Sequence, residues 1–145
     1  MPQSFPHIYT VSASGEAAGT LTVTAAGLPA LATAAPKEFD GPGDQWSPES
    51  LLCASLASCF MLTFRAIARA SKLDWRALDC QVQGTLERVD GVTQFTRFVT
   101  TARLTVPPGS SVDLCRRLME KAEHGCLIAN SLRPQRELQA QVVVG

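Results

Sequence analysis

The chain carries no lysine or arginine before Lys37, no C-x-x-C pair, no basic run longer than Arg116-Arg117, and only two histidines, His7 and His124. Each absence excludes something. Thirteen Lys plus Arg are balanced by thirteen Asp plus Glu, so nothing offers a basic footprint for a phosphate backbone, and nucleic acid is not an expected partner. With isolated histidines and acidic residues that do not cluster, the usual zinc spacings are missing, although His124 and Cys126 stand two apart. The opening Met1-Pro2-Gln3-Ser4-Phe5-Pro6 lacks the positive and apolar regions of a signal peptide, and no stretch reads as long enough to span a membrane. A cytoplasmic protein with no membrane partner is expected.

What is present fits one globular domain over residues 1–145. Hydrophobic residues make up 46% and charged residues 18%, enough for a core without disulfide staples. Five cysteines are an odd count; in a reducing compartment they are mostly thiols, and any disulfide is transient and catalytic.

Strand-like patterns run from His7 to Ala13, Thr20 to Ala25 and Leu31 to Ala35, and Pro36 to Trp46 is dense in breakers and reads as a surface loop. Ser47-Pro48-Glu49 then starts a helix: Ser caps, Pro suits the first position, and Glu sits at the positive end of the dipole. It runs to about Ser71, and from Leu51 to Leu62 it is apolar or small on every face, as in a helix buried all round. Leu78–Arg88 and Thr93–Val106 read as a hairpin turning at Asp90-Gly91. A helix from Ser111 to Gly125, a short one from Cys126 to Leu132 and a strand from Glu137 to Val144 close the chain. The order βββ-α-ββ-αα-β is α+β, without the regular βαβ alternation of a doubly wound sheet.

Two cysteines stand in unlike settings. Cys59 lies in the apolar run Leu51–Phe60, where a free cysteine is most often a small buried hydrophobe. Cys53, Cys80 and Cys115 fit that bland description better still. Cys126 follows Gly125 at a helix start, where unpaired amides favour a thiolate and lower its pKa. A Cys–His hydrolase built on Cys126 and His124 is a further nucleophilic option, but nothing identifies an oxyanion site or a third residue orienting the histidine.

Four segments carry a resemblance: Glu38-Phe39-Asp40-Gly41-Pro42-Gly43, Trp46-Ser47-Pro48-Glu49-Ser50-Leu51-Leu52, Ala54-Ser55-Leu56-Ala57-Ser58-Cys59-Phe60, and Cys126-Leu127-Ile128-Ala129-Asn130-Ser131-Leu132. Together they resemble the OsmC/Ohr family of osmotically inducible and organic hydroperoxide resistance proteins, over nearly the whole chain. The resemblance implies an OsmC-like fold with a long central helix, an intertwined homodimer, and a thiol peroxidase that needs neither metal nor flavin. It implies Cys59 as the peroxidatic thiolate that becomes a sulfenic acid and Cys126 as the thiol that condenses with it into a disulfide. A dithiol such as a lipoyl group would regenerate the pair.

Glu49 matches the acidic residue of the family's active site. Ten residues before Cys59, it lies about 15 Å away along a straight helix, so it reaches a catalytic cysteine most easily across a subunit boundary. Helix capping alone would also justify it.

Two departures bear on activity. Family members with peroxidase activity resemble one another in having an arginine in an early loop, which here reads Ser14-Gly15-Glu16-Ala17-Ala18-Gly19. A buried thiol without a cationic neighbour keeps a high pKa, so either Arg65, Arg69, Arg116, Arg117 or His124 substitutes, or the chain is a binding protein for an apolar ligand with little peroxidase activity. The second departure is Leu127, where the family often has proline.

Overall fold

In the computed structural model, residues 3–145 are described, and they form two compact units that divide after Leu51. The first holds an antiparallel sheet ordered β1 (Ser12–Ser14), β2 (Leu21–Thr24), β3 (Leu31–Thr33), followed by a 3-10 turn over Lys37–Phe39. These strands are shorter than their patterns predict. Alternation from His7 onward gives no strand before Ser12; Phe5, Ile8 and Tyr9 are each at least 85% exposed, and an extended segment without a hydrogen-bonded neighbour is no strand.

Helix α1 spans Pro48–Ala70. Its start is fixed by reciprocal bonds: the Ser50 amide donates to Ser47 Oγ at 3.1 Å, and the Ser47 amide to Ser50 Oγ at 2.9 Å. Serine thus fills the role that Glu or Gln has in a capping box. At the far end Lys72 adopts a left-handed φ of 54°, while the Leu73 amide bonds Ala68 O and the Lys72 amide bonds Arg69 O, a Schellman closure without glycine.

The second unit holds the core. Strands β4 (Ala77–Val89) and β5 (Val92–Val106) form the expected hairpin, with Asp90 and Gly91 both at positive φ as a two-residue turn requires. Helix α2 (Val112–Gly125) is capped by Ser111, whose Oγ accepts from the Leu114 amide; α3 (Leu127–Asn130) and β6 (Gln135–Val144) follow. β6 pairs parallel to β5, so β5-α2-α3-β6 is one crossover unit inside an otherwise antiparallel design. The expected absence of regular βαβ alternation stands, with this single crossover added.

Every second residue of β5 from Phe98 to Val106 is buried, and Ala102, Leu104 and Val106 share a core with Phe60, Phe64 and Ala68 of α1 and Cys115, Leu118, Met119 and Ala122 of α2. Gly84 of β4 is required by packing: a Cβ there would meet the rings of Phe95 and Phe98 at 2.8 and 2.9 Å and Cys53 Sγ at 3.1 Å.

Two readings of α1 need correction. The helix is long and apolar enough to cross a membrane by length and composition, with a mean hydropathy of 1.8, a test that the core helix of a soluble protein also passes. Nor is it buried all round within one chain. Leu56, Phe60, Phe64 and Ala68, four residues apart, form its buried stripe, whereas Leu62 is 59% exposed.

Candidate active site

The fold brings Cys59 and Cys126 together. Cys59 points from α1 into a second apolar cluster with Leu56, Phe98, Cys126 and Ala129, and the two thiols are within hydrogen-bonding reach. Cys59, expected as a buried residue of an apolar helix, is half-buried, and Cys126, at the helix start, is 1% exposed.

Ionisation favours Cys59, the thiolate that the resemblance implies, and not Cys126 at the helix start. Burial pushes the Cys59 thiol up, but the backbone of Ile128, the Cys126 thiol, the Thr63 hydroxyl and the backbone of Leu127 favour the thiolate and together outweigh that cost. Cys59 therefore ionises below the ordinary thiol value, with Thr63 Oγ1 3.9 Å from its Sγ. Cys126 is pushed up to about 11, by burial first and then by its bond to Cys59 and the negative charges of Cys59 and Glu123. The amides at the start of α3 do favour a thiolate, as the sequence suggests, but two of them serve the facing cysteine. The arrangement gives an ionisable thiol in contact with one that stays protonated.

None of the cations proposed from sequence is among the groups that lower Cys59. Arg65 and Arg69 are exposed on α1, His124 is exposed, and Arg116 donates to the Ala140 carbonyl at 2.8 Å. Neutral donors replace the cation. Thr63, one turn beyond Cys59, and the Leu127 amide were not singled out by sequence reasoning; the i, i+4 spacing of Cys59 and Thr63 was the available signal.

Glu49 is in the first turn of α1, nearly three turns before Cys59, so it is not part of this thiol pair. Its Oε1 is buried without a hydrogen-bond partner among the described residues. Cys115 is buried in the main core, Cys53 lies against Gly84, and Cys80 is pushed up to about 11 chiefly by burial, as suits packing residues. Among the described residues no group of three or more His, Cys, Asp or Glu side chains is placed to hold a metal ion.

An open cavity of about 520 Å3 is lined by Leu52, Val89, Phe95, Phe98, Leu132 and Pro134 together with Gln94, Thr96, Ser131, Arg133 and Gln135. Leu52, Phe95, Phe98 and Leu132 belong to the same apolar cluster as the two cysteines.

Comparison with known proteins agrees with this architecture. The family model described as OsmC-like protein matches residues 41–140, more than half of the chain. The uncharacterized protein YmaD of Bacillus subtilis is 29% identical over 112 residues, covering 75% of each chain. An OsmC-like protein of unknown function from Vibrio cholerae superposes with a TM-score of 0.83 at 18% identity, covering 95% of this chain and all of the other. An organic hydroperoxide resistance protein OsmC from Legionella pneumophila does so with a TM-score of 0.76 at 23% identity, covering 97% and 99%. The α+β fold is shared with both structures, and by its sequence match this chain belongs to the OsmC-like protein family.

Proposed function

We propose that this chain is a cysteine-based peroxidase that reduces organic hydroperoxides in defence against oxidative stress. The observation that carries the reading is the contact between a thiol lowered by four donors and a buried thiol that stays protonated. The Cys59 thiolate attacks the outer peroxide oxygen, the O–O bond breaks, the alcohol leaves with a proton, and Cys59 becomes a sulfenic acid. Cys126 then attacks that sulfur; the S–O bond breaks, an S–S bond forms, and water leaves with the Cys126 proton. An external dithiol such as a lipoyl group supplies the two electrons that restore the pair. Leu52, Phe95, Phe98 and Leu132, which line the neighbouring cavity and share the thiols' cluster, offer an organic peroxide an apolar face.

The same reading includes a single OsmC-like domain, a cytoplasmic setting and a homodimer. Leu62 on α1 and Phe5, Ile8, Tyr9 and Val11 near the start of the chain are apolar surface that a second copy would cover. In such a dimer the buried, unpartnered Glu49 Oε1 would find its partner and act as the acidic residue of the site.

Turnover of cumene hydroperoxide with a dithiol reductant tests the reading. Cys59→Ser is expected to abolish it and Cys126→Ser to allow one oxidation before stalling; full turnover in Cys59→Ser rejects the mechanism. The lack of any cation before Lys37 favours a second reading, a binding protein for an apolar ligand. Slow oxidation of Cys59 together with tight binding of an apolar ligand would select it.

A further inference from the structure

The strand β6 places one arginine against the segment that carries Cys126. Arg136 Nε donates to Glu123 Oε1 at 2.9 Å, and Nη1 donates to Asn130 Oδ1 at 2.8 Å. Its Nη2 donates to the backbone carbonyl of Glu123, which also accepts from the Cys126 amide at 3.3 Å. Asn130 in turn donates to the His124 carbonyl at 3.0 Å, closing the loop around residues 123–130. One guanidinium thus holds the last turn of α2 and the last residue of α3, the two sides of the joint at which Cys126 sits. Arg136 and Glu123 also border the same small cavity as Cys126. Lysine, with a single point of charge, cannot make this three-way fork.

We propose that Arg136 is a positioning residue for disulfide closure: its fork onto Glu123 and Asn130 holds Cys126 where its sulfur can attack the Cys59 sulfenic acid. This rests on the peroxidase reading above. Arg136 is not itself among the groups that lower Cys59, but Cys126, Leu127 and Ile128 are and lie in the clamped segment, so loosening the clamp touches the peroxide step too, and the disulfide step by a larger factor. In that step the Cys126 S–H gives up its proton, the Cys59 S–O bond breaks, the S–S bond forms, and one water is released. A chain whose nucleophile is misplaced by about an ångström loses roughly one to two orders of magnitude in rate.

The test is a rapid-mixing single turnover with one equivalent of cumene hydroperoxide, reading Cys59 thiol loss and the Cys59–Cys126 disulfide separately by acid quench and mass spectrometry, with dimedone trapping the sulfenic acid. For Arg136→Met the expected result is closure slowed about tenfold or more, and by a larger factor than Cys59 oxidation, with trapped sulfenic acid accumulating. Arg136→Lys, which keeps the charge but not the fork, is expected between the two. Closure as fast as in the unaltered protein overturns the proposal, and so does an equal slowing of both steps, which would mark a general loss of structure. If Arg136→Met does not fold, Asn130→Ala removes one arm of the clamp; closure slowed by a larger factor than oxidation supports the proposal, and unchanged closure overturns it. Failure of Cys59 to react in the unaltered protein overturns the peroxidase reading itself.

Discussion

The part of the chain before Leu52 and the part after it solve the folding problem differently. In residues 3–51 three short strands bury almost no apolar side chain; Thr33 and Ser47 are the buried residues there, and Leu21, Leu28 and Phe39 are exposed. A three-stranded sheet without a covered apolar face has little to hold it in water. In Leu52–Gly145, one hairpin, one crossover strand and two helices enclose a continuous core, and the two thiols lie in a smaller cluster of the same unit. The two thiols therefore lie in the unit with the continuous core, while the loop Ser14–Gly19, where the resemblance implies an arginine, belongs to the other unit and carries none.

Substitutions sharpen the contrast. The largest effect is expected at Cys59: Cys59→Ser removes peroxide turnover altogether, whereas Cys53→Ser, in the same cluster but outside the thiol pair, retains it in a dithiol-coupled assay. Next comes stability. Phe64→Ala empties the centre of the core and is expected to cost about 3–5 kcal/mol in denaturant unfolding, while Leu28→Ala, on the exposed turn between β2 and β3, costs less than about 0.5 kcal/mol. Equal losses at the two positions would erase the difference between the units.

The smallest effect concerns the donors of Cys59. The oxidation rate follows the thiolate fraction, so it rises with pH through a midpoint that lies below the ordinary thiol value. Thr63→Val removes one donor and is expected to move that midpoint upward, lowering the rate near neutral pH by roughly fivefold, the equivalent of about 1 kcal/mol for one hydrogen bond. Cys126, pushed up to about 11, contributes no second rise near neutrality. A pH profile unchanged by Thr63→Val would leave the Leu127 and Ile128 amides and the Cys126 thiol as the donors that matter.

The legible features were those decided by neighbours in sequence. Ser47-Pro48-Glu49 starts α1, Asp90-Gly91 turns the hairpin, and Ser111 caps α2, because each acts on backbone within a few residues. The pairing of Cys59 with Cys126 entered through resemblance and not through spacing. The helix-start position favours a thiolate at Cys126, yet Cys126 is buried and raised while Cys59 is lowered, since both depend on how α3 meets α1. The amides that serve Cys59 come from Leu127 and Ile128, and the arginine that grips the Cys126 joint comes from β6, brought there by a parallel pairing with β5 that no local pattern announces. The strand expected from His7 onward failed for a related reason: alternation describes a segment fit for a sheet, but a neighbour must supply the hydrogen bonds.

The most direct test is stoichiometric. Fully reduced protein is treated with one equivalent of cumene hydroperoxide, quenched in acid, and its cysteines mapped by mass spectrometry. One cumyl alcohol per chain and a single Cys59–Cys126 disulfide, with Cys53, Cys80 and Cys115 still reduced, is the predicted result. Peroxide left unconsumed, or consumed while Cys59 remains a free thiol, would contradict the assignment of this thiol pair.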